Sequence, residues 1–326
     1  MPHATPTREV IANAVLLAGR APSVHNSQPW RWVFADATLR LYVDPSRRVH
    51  HTDRTGREAI ISCGAVLHHL CVAMVAAGWQ AHVDRFPHPR NENQLASITF
   101  TPLDVVSDVQ RRRADAILQR RTDRLPLDYP TYWASFEPVL CGSIADTAAT
   151  LDVLPDEARA ELTEASRLTE LLRQDDLTYQ AELQWWTAPF VAYEGMPPET
   201  LASSQESYRV DVAREFPSRG VGDRRAVIAE DRSKILVLST ESDSPADVLG
   251  CGEALSTVLL ECTMAGMATC PLTHLIELDD SRDVVRTLID EQREPQVLIR
   301  AGIAPPIEDL PAATPRRPLE AVLEFG

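Results

Sequence analysis

Apolar residues recur at helical spacing over residues 7–20, at Val10, Ile11, Ala14, Leu17 and Ala18. Ala21-Pro22-Ser23 ends that helix, because proline disfavours helical geometry in the residue before it. A loop dense in hydrogen-bonding side chains follows: Ser23, His25, Asn26, Ser27 and Gln28. Residues 31–34 and 39–43, separated by Asp36-Ala37, read as a two-stranded hairpin. Residues 58–78 form a long helix that is apolar on nearly every side, the mark of a buried element.

Downstream, alternation over residues 96–100 predicts a strand. Residues 107–124 predict a polar helix ending in Gln119-Arg120-Arg121-Thr122-Asp123-Arg124, closed by Leu125-Pro126. Residues 156–188 read as helical, whereas about 190–225 carry turn residues, prolines and scattered aromatics and read as an excursion from the core. Residues 235–239 and 297–301 predict strands and 245–266 a second long apolar helix; the tail from Pro311 starts extended and ends in a strand. The pattern is that of an α+β protein.

The two long apolar helices resemble each other. Laying Cys251-Gly252 over Cys63-Gly64 also aligns Leu255 with Leu67, Ala265 with Ala77 and Gly266 with Gly78. Two buried helices of one design imply an internal repeat.

Composition narrows the partners. With 326 residues, 44% hydrophobic and 24% charged, the chain can bury a sizeable core. A net charge of −15 repels nucleic acid and anionic membrane except where arginines cluster, so neither is an expected partner. Six cysteines without a CxxC pair suggest neither zinc knuckle nor disulfide scaffold, and reduced cytoplasmic thiols are expected. The stretch from Val10 to Ala18, flanked by Arg8, Glu9 and Arg20, reads as a mature amphipathic helix, not a signal peptide. His68 and His69 interrupt the best candidate for a bilayer span.

Three short motifs change the picture. Ala21-Pro22-Ser23-Val24-His25-Asn26-Ser27-Gln28-Pro29-Trp30 resembles the APSxxNxQPW signature of the nitroreductase superfamily, whose members are FMN flavoproteins that work as domain-swapped homodimers. Arg120-Arg121-Thr122-Asp123-Arg124 resembles the RRSxR motif with which that family holds the flavin phosphate, and Pro315-Arg316-Arg317-Pro318 resembles its basic C-terminal segment. In the family RRSxR opens the subunit; here it stands mid-chain. The first half keeps the APSxxNxQPW loop but lacks RRSxR, and the second keeps RRTDR and the basic tail but has Tyr129-Pro130-Thr131-Tyr132-Trp133 and no QPW loop.

That complementarity resembles the Acg-type branch, a nitroreductase dimer fused into one chain. It implies a nitroreductase-like fold of two tandem degenerate repeats, residues 1–110 and 111–326, with one composite FMN site, a dead pseudo-symmetric twin and a monomeric chain. The resemblance assigns Arg120, Thr122, Arg316 and Arg317 to phosphate and ribityl, and Arg124 to the N1/O2 edge of the flavin. Ser23, His25, Asn26 and Gln28 would surround the isoalloxazine, and the turn Cys270-Pro271-Leu272-Thr273-His274 would present Pro271, Leu272 and Thr273 near N5.

The residues themselves leave plainer readings open. An arginine run is usually a solvated helix face. His50, His51, His68 and His69 have no carboxylate or cysteine at ligand spacing, and no metal is expected. There is no GxSxG elbow, and Gly220-Val221-Gly222 is too short for a dinucleotide fingerprint. Trp185, Trp186, Tyr193, Met196 and Tyr208 form either an aromatic platform for substrate or, the favoured reading, the anchors of a lid at about 180–225. A covered flavin suits sequestration or a redox and low-oxygen stress response, the role the Acg-type resemblance implies. An open one suits an NAD(P)H-dependent nitroreductase or quinone reductase, and a flavin-free scaffold is the remote alternative.

Overall fold

A computed structural model describes residues 5–188, 193–307 and 311–326. The first half holds α1 (Arg8–Ala18), β1 (Trp30–Ala35), β2 (Thr38–Val43), α2 (Arg57–Ala76), β3 (Trp79–Arg85) and β4 (Gln94–Pro102). After α3 (Asp108–Gln119) come α4 (Trp133–Ser143), β5 (Thr150–Val153), α5 (Arg159–Arg173), α6 (Leu177–Trp186) and α7 (Ser204–Ser207). The chain closes with β6 (Lys234–Thr240), α8 (Pro245–Met264), β7 (Ala268–Leu272), α9 (Asp279–Thr287), β8 (Glu294–Gly302) and β9 (Leu323–Phe325). The class is α+β.

The strands form two sheets. One runs β3-β4-β2-β1-β9 and the other β7-β8-β6-β5, so the first four strands of each follow the same order of pairing. All these pairs are antiparallel except β9, which adds parallel to β1 and carries the C-terminus back to the first sheet. The hairpin between β1 and β2 needs only Asp36 and Ala37, both with positive φ, as a two-residue hairpin turn of this hand requires. Between the corresponding β5 and β6 lie α5, α6, α7 and the excursion.

Helices α2 and α8 lie side by side between the sheets. Each ends on an alanine at φ −82°, ψ 2°, followed by a glycine in the left-handed region (Gly78, φ 86°; Gly266, φ 79°), where a β-carbon would be strained. α2 packs into a core containing Trp30, Trp32, Leu39 and Leu41, and α8 into one containing Leu236, Leu238, Val297 and Ile299. By length and composition α2 is apolar enough to cross a bilayer, contrary to the reading that His68 and His69 preclude it. Both histidines are instead hydrogen-bonded to Ser256 of α8, and most of the helix is buried within the protein.

Several sequence expectations need correction. The helix expected over residues 107–124 stops at Gln119: Arg120 is extended (φ −57°, ψ 130°) and Thr122 bridges Thr269 in parallel, giving the outer edge of β7 a partner. The helix expected over 156–188 breaks at Gln174–Asp176, where the Asp176 carboxylate caps α6 by accepting from Tyr179 N (3.1 Å). Residues 270–272, read as part of a turn, are strand, and Pro271 is tolerated because β7 is an edge. The elements α4, α9, β3 and β5 were not anticipated. Of the excursion at 180–225, residues 189–192 lie outside the described residues.

Candidate functional site

The loop after α1 is wound unusually tightly. His25, Asn26 and Gln28 all have positive φ (48°, 58° and 51°), a conformation that costs a non-glycine residue about 1 kcal/mol or more. Neighbours hold it in place. The Ser23 hydroxyl accepts from Gln28 N (3.0 Å), and Val24 N donates to the Ser62 hydroxyl on α2 (3.2 Å). Asn26 Nδ2 donates to Gly195 O (2.9 Å) and Pro315 O (3.1 Å), and Gln28 Nε2 to Tyr193 O (2.9 Å). Strain concentrated in one buried loop and stabilised from three other segments marks a functional surface.

This loop faces two adjoining cavities. The inner one is lined by Ser23 and His25, by Glu58, Ile61 and Ser62 of α2, by residues 270–274, and by Thr122, Arg124 and Arg300. Its roof comes from the excursion, including Met196, Leu201, Val210, Arg214 and Phe216. The outer cavity shares Pro22, Ser23, Thr122, Arg124 and Met196 with the inner one and continues to Arg20, Arg120, Arg121, Arg224, Arg225 and Arg316.

The extended course of residues 120–124 explains how this motif serves both cavities. Alternate side chains of an extended segment point the same way, so Arg120, Thr122 and Arg124 share a side, which they would not on a helix. Asp123 N donates to Thr269 O (2.9 Å) and fixes the segment on β7. The Asp123 carboxylate is bound by the buried Arg225 of the excursion.

Among the described residues, the outer cavity is lined by more arginines than carboxylates. Arg120 is buried, and its Nε and Nη1 have no partner. Burial and the neighbouring Arg20 push its guanidinium down to about 10. Burial, then Arg20 and Arg120, hold Arg316 well below the ordinary arginine range. Its hydrogen bonds go only to the carbonyls of Gly19, Arg20, Thr314 and Pro315. The buried Arg120, with the partly buried Arg20 and Arg316 beside it and none of the three ion-paired among the described residues, suits a small dianion, to which arginine offers paired donors.

The inner cavity is nearly neutral by contrast. Burial lowers the pKa of His25 and of His274 well below the usual histidine range, with Arg214 adding to both, and leaves them uncharged. His25 bonds Thr52 through Nε2 (3.3 Å) and meets Phe216 edge-on; His274 bonds Ser166 through Nε2 (2.7 Å), and its Nδ1 has no partner. Arg214 is neutralised by Glu277, and Arg300 by Asp231. Arg124 is not: it contacts Met196 Sδ (3.0 Å) and lies over the Phe216 ring (5.6 Å).

Of the sequence-nominated residues, Ser23, His25, Thr122, Arg124, Pro271, Leu272 and Thr273 line the inner cavity, and Asn26, Arg120 and Arg316 the outer. Gln28 and Arg317 line neither. Gln28 Oε1 accepts from Arg317 N (2.8 Å), and Arg317 Nη1 donates to Gln28 O (3.2 Å), so the two hold the loop to the C-terminal tail. The sequence reading missed Arg20, Glu58, Arg214, Phe216 and Arg300. Only Arg20, directly before the APS motif, carried a local signal.

The aromatic anchors also differ from expectation. Trp186 and Met196 are buried, whereas Trp185, Tyr193 and Tyr208 are exposed, Tyr208 at 92%. The excursion is held by ion pairs instead: Arg224 with Glu206 (2.6 Å), Arg225 with Asp123 and Arg47 with Glu194.

No protein-family model matches the chain. It is 60% identical over 320 residues to the uncharacterized protein Rv3127 of Mycobacterium tuberculosis, covering 97% of this chain and 93% of that one. It is 52% identical over 322 residues to the putative NAD(P)H nitroreductase Acg of the same species, covering 99% and 97%. A third relative there, the putative NAD(P)H nitroreductase Rv3131, is 37% identical over 98% of this chain and 92% of its own. Solved structures align more loosely. A putative nitroreductase from Anabaena variabilis covers 93% of this chain and 90% of its own at TM-score 0.44 and 11% identity. The FMN-dependent nitroreductase NfnB of Mycobacterium smegmatis, solved with NADPH, covers 67% and 100% at TM-score 0.40 and 16% identity. The full-length sequence relationships carry the assignment: this chain belongs to the nitroreductase superfamily, in its Acg-type branch.

Proposed function

We propose that the chain binds one FMN across the two cavities, its phosphate in the outer and its ring in the inner. The observation that carries this reading is the pair of donors on the buried Arg120 that have no partner among the described residues, in a cavity that Arg20 and Arg316 also line. Arg120, Thr122 and Arg316 hold phosphate and ribityl; Ser23, His25, Pro271, Leu272 and Thr273 surround the ring; Asn26, Gln28 and Arg317 keep the loop in shape. The donor set fits the group: several cations where the dianion goes, and where the heterocycle goes a surface that is uncharged or charge-paired apart from Arg124.

The site is composite. Residues 1–110 supply the loop and the α2 wall, residues 111–326 the arginines and β7, so that one chain does what two subunits do in a domain-swapped dimer, and it acts as a monomer. The shared strand order of the two sheets and the reciprocal packing of α2 on α8 support this. Bound FMN would supply reversible two-electron chemistry. Arg124, the cation without a carboxylate, stabilises negative charge at the ring edge it faces, while the roof limits the access of water and other molecules.

The roof is a lid, and it favours sequestration of flavin or a redox stress role. Met196, Leu201, Val210 and Phe216 cover the inner cavity, and Gly195 and Tyr193 are bonded back to the loop below. The second reading, an NAD(P)H-dependent nitroreductase or quinone reductase, is supported by the names of the relatives. One experiment separates them: the visible spectrum of the purified chain, with flavin released and quantified, followed by anaerobic NAD(P)H. About one FMN per chain supports the composite site. Prompt bleaching supports the reductase, a spectrum unmoved by either nucleotide supports sequestration, and a colourless chain that takes up no FMN removes the flavin reading.

A further inference from the structure

The flavin reading leaves one buried acid without a task. Glu58, the second residue of α2, is 3% exposed, lines the inner cavity, and neither of its carboxyl oxygens has a hydrogen-bond partner. Its neighbours are all committed elsewhere. The Ser62 hydroxyl, one turn along the helix, donates to Glu58 O (2.7 Å) and accepts from Val24 N. The guanidinium of Arg57 donates to Gln296 Oε1 (3.0 Å), Ile276 O (3.0 Å) and Pro295 O (3.4 Å). Arg214, reaching in from the excursion, is bound to Glu277 and to the Tyr179 hydroxyl (2.6 Å). The Asp53 carboxylate accepts from Ala59 N (2.9 Å).

The charges facing Glu58 therefore come from four places: Asp53 before α2, Arg57 beside it, Glu277 ahead of α9, and Arg214 above. His25 and His274 across the cavity are uncharged. Burial foremost, then Glu277 and Asp53, hold the carboxyl well above the usual carboxylate range. An ionised carboxylate without a partner is among the least favourable groups to bury, and a neutral acid is the form this site accommodates.

A neutral carboxyl has one O–H to give, and among the described residues nothing accepts it. We propose that the Glu58 carboxyl, in its acid form, is a hydrogen-bond donor to a carbonyl or ring-nitrogen acceptor of the heterocycle in the inner cavity. The identity of that heterocycle rests on the flavin reading; the protonation of Glu58 does not. Binding then selects the protonated chain, and affinity falls by about tenfold per pH unit once the acid ionises in the unliganded protein.

The test has two arms. Infrared difference spectra of the chain freed of flavin, wild type minus E58Q, should show at pH 7 the carbonyl band of a protonated carboxylic acid that shifts in heavy water. Titration with FMN, followed by flavin fluorescence across the pH range of an infrared series on the same chain, should show wild-type affinity falling where the carboxylic-acid band is lost. E58Q keeps an N–H donor at the same place and should bind with a pH-independent affinity within a few-fold of the neutral-pH value. E58L should bind at least tenfold more weakly at every pH. Circular dichroism in the aromatic region checks that both variants are folded. Absence of the infrared band overturns the proposal, as does an E58Q affinity as low as that of E58L or a wild-type affinity that stays flat through the pH at which the infrared band is lost. If wild type takes up no FMN, the flavin reading falls by itself, and the infrared arm still decides whether Glu58 is a neutral acid.

Discussion

Gly64 and Gly252 meet backbone to backbone where α2 crosses α8: a β-carbon on either would stand 2.8 Å from the Cα of the other. The contact is reciprocal, since the Gly64 position abuts the Leu249 carbonyl and the Gly252 position abuts the Ile61 carbonyl. Such self-complementary contact is what the proposed fusion of two halves in one chain leads one to expect. Neither helix can retreat, because each is packed into its own sheet.

Gly64→Ala and Gly252→Ala are accordingly expected to destabilise the protein by similar amounts, about 3 kcal/mol or more, the upper range for an overpacked core. Urea unfolding of both variants measures this. If one substitution is tolerated and the other is not, the reciprocity of the contact is illusory.

Much of this was legible in the sequence, for identifiable reasons. Helices α2 and α8 were plain because they are apolar all round, and the matching Gly78 and Gly266 that follow them both take the left-handed conformation only glycine enters freely. The Ser23 to Gln28 loop was legible as a motif, although its left-handed residues were not, since His25 and Gln28 carry no propensity that announces them. Residues 120–124 were misread because their composition suits a helix and only the open edge of β7, far off in sequence, pulls them straight. Glu58, Arg214 and Phe216 act through burial and neighbours, and neither is written in local sequence.

Arg120 should show opposite signs in the empty and the loaded protein. Replacing it with methionine removes a buried guanidinium held beside two others, and the Arg20 carbonyl it serves keeps a second donor in Arg316 Nη2 (3.2 Å). The flavin-free R120M chain is expected to be more stable than wild type by about 1–2 kcal/mol. Its affinity for FMN should fall by about a hundredfold, equivalent to one or two charge-assisted hydrogen bonds, while that for riboflavin stays within a few-fold. Equal losses for the two flavins would remove Arg120 from the phosphate.

Stability should fall as the medium turns mildly acid. His25, His68, His69 and His274 are buried with pKa values lowered chiefly by burial, His68 to about 4. Below pH 6.5 the unfolded chain takes up protons at these positions and the folded chain does not, so stability is lost as pH drops through that point. Glu58 acts the other way, since its raised pKa keeps a proton in the fold that the unfolded chain has released. Asp53, Asp152 and Glu170, also raised by burial, act in the same sense as Glu58, but the histidines outweigh them near pH 6, and each net proton is worth about 1.4 kcal/mol per pH unit. Urea midpoints should therefore decline steeply between pH 6.5 and pH 5, and H68N should flatten the slope by about one proton.

On the proposed reading, Phe216 decides whether the excursion covers the flavin. Its ring meets His25 edge-on with centroids 6.2 Å apart and underlies the Arg124 guanidinium, so it joins the roof to both the loop and the one uncompensated cation of the inner cavity. Each contact is worth about 0.5–1.5 kcal/mol. Their joint loss in F216A should speed flavin release by about tenfold or more, read as the recovery of flavin fluorescence after dilution. The overall fold should be spared, because Phe216 belongs to none of the hydrophobic clusters that hold the sheets. A roof that restricts access also slows the reaction of reduced flavin with a quinone, so the same variant should oxidise faster when mixed with one. Unchanged release together with unchanged oxidation would mean that the roof does not stand over the ring, and the case for sequestration would go with it.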